Sequence, residues 1–153
     1  MIAAAIGIGL VVSIIFSETL GIAAGGMVVP GYIAVHLNHP SRVIATIIAA
    51  LATFLTIKFL SNFMLIYGRR HVGIVILVGF LFGYLTRSLQ PLGAPDVLRE
   101  MTAIGYIIPG LIAMWMERQG VIETISALLA GSVIVRLILV VVTGGEFVAL
   151  AQW

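Results

Sequence analysis

Long runs of apolar residues separated by short polar clusters dominate the chain. Glu18 is the only formal charge in the first 41 residues. As a single helix, residues 2–37 would extend about 54 Å, nearly twice a hydrocarbon core of about 30 Å. The stretch therefore predicts two membrane segments, Ile2–Ser17 and Leu20–Leu37, with a turn at Glu18 between them.

Further apolar runs follow along the rest of the sequence. They are Val43–Tyr67, Val72–Leu89, Met101–Met116 and Val121–Thr143. Continuous apolar runs are typical of spanning helices, and the period-two alternation of membrane barrels is absent. We therefore predict an all-α polytopic membrane protein with about four to six membrane helices. Residues 1–153 are expected to form a single transmembrane domain.

The composition removes several other classes of protein. Hydrophobic residues make up 61% of the chain and charged residues only 9%, against about a quarter charged in soluble domains. With a mean hydropathy of +1.23, the chain is expected to be neither a soluble globule nor disordered. The absence of Cys excludes disulfides and thiolate metal sites. A net charge of +2 is too small to suggest binding to nucleic acid.

The sequence contains an internal repeat around a Pro-Gly pair. At an offset of 79 residues, two segments align: Gly26-Met-Val-Val-Pro30-Gly31 and Gly105-Tyr-Ile-Ile-Pro109-Gly110. We predict two structural repeats, about 1–68 and 72–153, each with a helix interrupted at its Pro-Gly pair. If both interrupted segments cross the membrane, the halves are inverted; if both re-enter, they run parallel. We favour the inverted arrangement.

Backbone chemistry explains why the Pro-Gly pair interrupts a helix. Proline donates no hydrogen bond, and its ring strikes the carbonyl four residues earlier, which belongs to Gly26 or Gly105. A new helix beginning at Pro30 or Pro109 would present free amides, and such helix starts bind anions in transporters built from repeats. The alternative is a kinked helix that serves only packing.

One cation lies in the apolar run that follows each Pro-Gly pair. Lys58 and Arg136 occupy nearly equivalent places in the two halves. They either extend toward the headgroups or face the bundle interior, where they would stabilise passing carboxylates. Glu18 is either a solvated turn residue or the counter-ion of Lys58, Arg99 or Arg136.

Several motifs occur in a fixed order along the chain. They are Phe16-Ser-Glu18-Thr-Leu-Gly21-Ile22, Gly26-Met-Val-Val-Pro30-Gly31-Tyr32, Tyr67-Gly68-Arg69-Arg70 and Gly105-Tyr-Ile-Ile-Pro109-Gly110-Leu-Ile-Ala113, with Gln119-Gly120. In order and spacing, over nearly the whole chain, they resemble the PgsC/CapC family of poly-γ-glutamate synthesis proteins. The resemblance implies a multi-pass subunit of the bacterial inner membrane, in a complex that makes and exports this capsule polymer.

The resemblance also implies a division of labour between subunits. An ATP-dependent amide ligase subunit would carry ATP and Mg, and a further membrane-anchored subunit would complete the complex. This chain shows no phosphate-binding loop, paired carboxylates or Ser-His-Asp constellation. We therefore expect no catalytic residue, metal or cofactor in it.

The basic pair Arg69 and Arg70 has two possible roles. It is either a loop that sets topology or a patch that captures the acidic polymer or docks the ligase. We predict that a polymer path or anion-binding site is formed by Gly26, Pro30, Gly31, Lys58, Gly105, Pro109, Gly110 and Arg136. The chain is small for enclosing a polymer path alone, so we expect homo-oligomers or a heteromeric complex. Two other functions stay open: a purely structural anchor for the ligase, and an independent small ion or solute transporter.

Overall fold

A computed structural model describes residues 2–65, 68–88 and 106–145. Within these ranges the regular secondary structure consists of helices, with no β-strand. The helices are α1 (Ile2–Leu20), α2 (Val29–His36), α3 (Pro40–Phe63), α4 (Arg69–Ser88), α5 (Ile108–Gln119) and α6 (Val121–Val142). Helices α1, α3, α4 and α6 are long and apolar enough to cross a bilayer. The prediction of an all-α membrane protein is confirmed.

The turn predicted at Glu18 lies further along the chain. Glu18 and Thr19 belong to the last turn of α1, and the hydroxyl of Thr19 donates to the carbonyl of Ile15 at 2.6 Å. A hydroxyl satisfied in this way is compatible with a helix. The chain leaves the helix at Gly21, whose φ of +65° is readily adopted only by glycine.

The second predicted membrane segment, Leu20–Leu37, is helical only in its C-terminal part. Residues 21–28, here called the broken stretch, form no helix, and α2 has eight residues. In the described part of the fifth segment, the helix begins at Ile108 and ends at Gln119; residues 89–105 lie outside the described ranges. Proline causes this difference, because it is tolerated only in the first turn of a helix.

Each short helix packs between long helices from both halves of the chain. Helix α2 contacts α1 from its own half and α6 from the other half. Helix α5 in turn contacts α4 from its own half and α3 from the other. The first and last long helices of opposite halves also pack together, as α1 with α6 and α3 with α4. The two halves therefore form one interlocked core.

The first Pro-Gly segment extends along the full length of α1. Gly26 accepts a hydrogen bond from the buried Ser13 hydroxyl at 3.2 Å. Gly31 then lies against Gly9 and the backbone of Ala5, and α2 continues to His36. The segment therefore runs antiparallel to α1, from its end back to its beginning.

The second Pro-Gly segment follows α4 in the same manner. Three contacts run antiparallel along the two helices: Arg87 with Tyr106, Gly79 with Gly110, and His71 with Glu117. These contacts cover nearly all of α4. The described part of this segment therefore runs antiparallel to α4 over nearly its whole length.

The two Pro-Gly segments run in opposite directions. Pro30 lies beside Gly131 and Asn38 accepts from Arg136, so α2 is parallel to α6. Helix α6 reverses the direction of α5 at Gly120, the residue that separates them. The inverted arrangement requires such opposite directions. The existence of two structural repeats stays a prediction.

Backbone contact between glycines permits this close packing. A Cβ atom on Gly79 would lie 2.4 Å from the Cα of Gly110, and one on Gly9 would lie 2.8 Å from the Cα of Gly31. Small residues allow membrane helices to approach closely enough for dispersion contacts and short polar contacts to hold them together. The glycine after each proline therefore serves packing in both halves.

Replacement of Gly79 by Ala is expected to destabilise the protein, because the added methyl group would overlap the backbone of Gly110. Overpacking of this kind costs about 1–3 kcal/mol of unfolding free energy. Gly73→Ala is the matched control in the same helix, because no heavy atom lies within 4 Å of its Cβ position. Thermal unfolding in detergent should show a lower midpoint for Gly79→Ala only; equal midpoints would contradict the packing described.

Candidate functional site at the two helix starts

Helices α2 and α5 begin at equivalent places, one residue before each proline. Val29 and Ile108 are their first residues, and Pro30 and Pro109 occupy the second position. A proline in the first turn of a helix has no hydrogen bond to lose. Neither helix start carries a side-chain cap hydrogen bond. Both prolines therefore begin helices, as the sequence predicts.

The carbonyl group of Gly26 lies four residues before Pro30 and is bonded by a side chain. Ser13 of α1 donates to this carbonyl at 3.2 Å within the protein interior. Gly26 itself has a φ of +114°, and the indole of Trp115 lies against it. An unpaired carbonyl would be costly at membrane depth, so Ser13 compensates for the interruption of the helix. Gly105, the counterpart of Gly26, lies outside the described residues.

Gln119 holds the broken stretch from the opposite half of the chain. Its side-chain oxygen accepts from the Ala23 N–H at 3.0 Å, and its side-chain nitrogen donates to the Ala23 carbonyl at 2.6 Å. The same nitrogen donates to the hydroxyl of Thr124 at 3.1 Å. The Thr124 hydroxyl in turn donates to the Gly120 carbonyl at 2.7 Å. One amide therefore replaces both partners that a helix would give to Ala23.

Sequence reasoning did not assign a role to either supporting residue. Ser13 is a single polar residue in an apolar run, and Gln119 belongs to a motif used only for the family resemblance. A lone hydrogen-bonding residue at membrane depth could have signalled a backbone group that needs a partner. The identity of that group depends on tertiary contacts.

The two helix starts meet at a cavity of about 430 Å³. Its lining combines the beginnings of both helices with one aromatic residue of α4: Val28, Val29, Tyr32, Phe80, Tyr106, Ile107, Ile108 and Leu111. No lining residue carries a formal charge, and the two tyrosines supply the only side-chain hydroxyl groups. Such a lining suits hydrocarbon better than a carboxylate.

The residues predicted to form a polymer path are not among those that line this cavity. Gly26, Pro30, Gly31, Pro109 and Gly110 are buried. Pro30 packs beside Gly131, and Gly110 packs against α4. The structure thus shows a packing role for these residues, and their part in a polymer path stays a prediction.

The two membrane cations point to different environments. Lys58 is exposed and lies 5.8 Å from the centre of the Phe54 ring. Arg136 is half-buried and donates to the side-chain oxygen of Asn38. The structure does not bring the two cations together, although they occupy corresponding positions.

The buried faces of α3 and α6 align at an offset of 78 residues, as in Thr46 with Thr124, Ala49 with Ala127 and Ile57 with Val135.

The remaining predicted residues lie on the surface. Glu18 is exposed, and within the described ranges it forms no ion pair with Lys58 or Arg136. Arg99 lies outside those ranges. Arg69 and Arg70 are exposed at the start of α4.

An ionisable pair next to these arginines joins two helix ends. The Nε2 atom of His71 lies 2.6 Å from a carboxylate oxygen of Glu117, so the start of α4 is bound to the end of α5. Arg118 is adjacent and lies over Trp115, 5.8 Å from its ring centre. Arg69, Arg70 and Arg118 therefore share one end of the molecule, here called the basic end.

Comparisons with known proteins agree on one family. The family described as "Capsule biosynthesis CapC" matches residues 8–125. The "PGA biosynthesis protein CapC" of Bacillus subtilis (strain 168) is 35% identical over 123 residues, covering 80% of this chain and 82% of that protein. The "Capsule biosynthesis protein CapC" of Bacillus anthracis is 35% identical over 131 residues, covering 84% and 87%. No solved structure matches the chain.

Gln119→Ala is expected to loosen the broken stretch, because Ala23 would lose both side-chain partners. Hydrogen exchange of a peptide covering residues 21–28 should become about thirtyfold faster, since two bonds of about 1 kcal/mol each are lost. Gln119→Glu retains only the hydrogen-bond acceptor, so its exchange rate should lie between those of the wild type and Gln119→Ala. Ser126→Ala is the control, because this exposed hydroxyl bonds only locally to the Glu123 carbonyl. Unchanged hydrogen exchange in Gln119→Ala would contradict the role of Gln119 in holding the broken stretch.

Proposed function

The chain belongs to the CapC family of capsule biosynthesis proteins, and on that premise we propose that it is a multi-pass inner-membrane subunit of a poly-γ-glutamate synthase. The names of its relatives, a PGA biosynthesis protein and a capsule biosynthesis protein, support this role. Four helices able to cross a bilayer support the membrane location. Family membership is the observation that carries the proposal.

The proposed subunit supports synthesis that a partner performs. An ATP-dependent amide ligase forms the polymer bonds and holds ATP and Mg, and a further membrane-anchored subunit completes the complex. This chain contributes the membrane part, as a homo-oligomer or within the heteromeric complex. Its described interior supports that division, because it is occupied by aliphatic side chains and a few hydroxyl groups.

The basic end is the surface that best fits an acidic polymer. A poly-γ-glutamate chain carries one carboxylate per residue, so adjacent arginines bind it at several points. Arg69 and Arg70 are exposed and lie on a helix that is fixed to α5 through His71 and Glu117. Two guanidinium groups on a fixed element lose less conformational freedom on binding than two groups on a loose loop.

Replacement of both Arg69 and Arg70 by Ala is expected to reduce the poly-γ-glutamate produced and exported by at least about fivefold, because two charge-assisted contacts are lost. The measurement uses cells in which this chain replaces the native family member and the partner subunits are retained. Polymer is quantified separately in the cells and in the medium. The double Arg→Lys variant is the matched control, since it retains both positive charges.

The distribution of polymer then separates the possible outcomes. Polymer retained inside the cells indicates that the basic end acts in export, whereas loss from both fractions indicates that it acts in synthesis or in docking the ligase. Normal polymer in both fractions, with the variant present in the membrane at the wild-type level, refutes the proposed role. Equal loss in the double Arg→Lys variant would point to local geometry rather than charge.

A second candidate function is a structural anchor that recruits the ligase while another subunit conducts the polymer. The close packing around Pro30 and Pro109 and the apolar cavity beside them favour this candidate. Replacing the chain with an unrelated membrane anchor fused to the ligase distinguishes the two. Export should stop if this chain guides the polymer, and it should continue if the chain only anchors the ligase.

A further inference from the structure

The cavity between the two helix starts has a composition and position that fit a lipid chain. We propose that it binds an anionic phospholipid, with one acyl chain in the cavity and the phosphate on Arg87. The cavity has a volume of about 430 Å³ and eight lining residues, of which six are aliphatic or Phe and two are Tyr. Such a lining stabilises hydrocarbon. A polar ligand would lose its hydrogen bonds to water there and find few polar groups to replace them.

The cavity opens to the outer surface of the bundle rather than closing within it. Val28, Ile107 and Phe80 all line it and are 37%, 51% and 46% exposed. In a membrane these residues face the acyl chains of the bilayer. A lipid chain can therefore enter from the side, without passing through the protein.

Arg87 supplies a cation at the rim of the same cavity. Its guanidinium carbon lies 4.4 Å from the centre of the Tyr106 ring, and its Nη1 donates to the Tyr106 hydroxyl at 3.0 Å. Tyr106 is itself a lining residue and packs against Phe80, with ring centres 5.4 Å apart. Stacking fixes the guanidinium plane, and a fixed guanidinium can bind a phosphate through two parallel N–H bonds.

No carboxylate in the described ranges is paired with Arg87. The residue is exposed one position before the end of α4 at Ser88. That position corresponds to the boundary between acyl chains and headgroups, where Arg commonly interacts with phosphate. A negatively charged headgroup would complete the electrostatic environment of this arginine.

The distance between Arg87 at the rim and Phe80 in the cavity lining is shorter than one leaflet. Arg87 and Phe80 are seven residues apart on α4, which corresponds to about 10 Å along the helix. Half of a hydrocarbon core measures about 15 Å. An acyl chain that descends from a phosphate on Arg87 therefore reaches the cavity between the helix starts.

The test measures lipid binding to the purified full-length chain in detergent by native mass spectrometry. Phosphatidylglycerol and phosphatidylcholine with identical acyl chains are titrated separately. We expect one saturable phosphatidylglycerol per copy and clearly weaker binding of phosphatidylcholine. Arg87→Ala should weaken phosphatidylglycerol binding about tenfold, as expected for one charge-assisted contact, and Arg87→Lys should restore part of the affinity.

Two matched controls separate this cavity from general surface effects. Arg42→Ala removes another arginine, near the start of α3 and not among the residues that line the cavity, and it should leave binding unchanged. Val28→Trp should fill the cavity and weaken the binding of both lipids. Met27→Trp places the same side chain at a neighbouring exposed position that does not line the cavity, and it should have no effect.

Several results would overturn the proposal. Equal weakening by Arg42→Ala, or unchanged binding in both Arg87→Ala and Val28→Trp, would show that lipid binds elsewhere. Displacement of the lipid by inorganic phosphate at equal concentration would show an anion site that does not use the cavity. Loss of a dimer in Val28→Trp, without a change in bound lipid, would show that a second copy of the chain occupies the cavity.

Discussion

Every backbone polar group at membrane depth needs a partner inside the protein, and the broken stretch is the place where this constraint is hardest to meet. Residues 21–28 give up helical bonding so that Pro30 can begin a new helix. Ser13 and Gln119 supply the missing partners from α1 and from the end of α5. The first half of the chain is therefore completed by a residue of the second half.

The interlocked packing of the halves follows from the same constraint. A short helix cannot cover its own ends, so α2 and α5 each lie between a long helix of their own half and one of the other half. Gly9 with Gly31 and Gly79 with Gly110 bring the backbones close enough for this arrangement. The helix starts are thus placed beside one another, and the space left between them forms the apolar cavity.

The sequence predicted those features that depend on composition and on local backbone chemistry. Apolar runs identified the long helices, and the two prolines identified where the short helices begin. The turn after α1 was placed too early because the charge of Glu18 suggested a loop, whereas a side chain at a helix end can reach water from within the helix. The different surroundings of Lys58 and Arg136 could not be predicted, because uniformly apolar helices do not reveal which face is buried.

The hydrogen bonds between Ala23 and Gln119 join residues that are 96 positions apart. During synthesis, Ala23 leaves the ribosome well before Gln119 has been translated. Throughout that interval the amide and carbonyl of Ala23 lack the partners that they have in the finished fold. Water, or the insertion machinery of the membrane, can bond to these groups in the nascent chain, so the broken stretch reaches its final set of contacts only after the second half has been made.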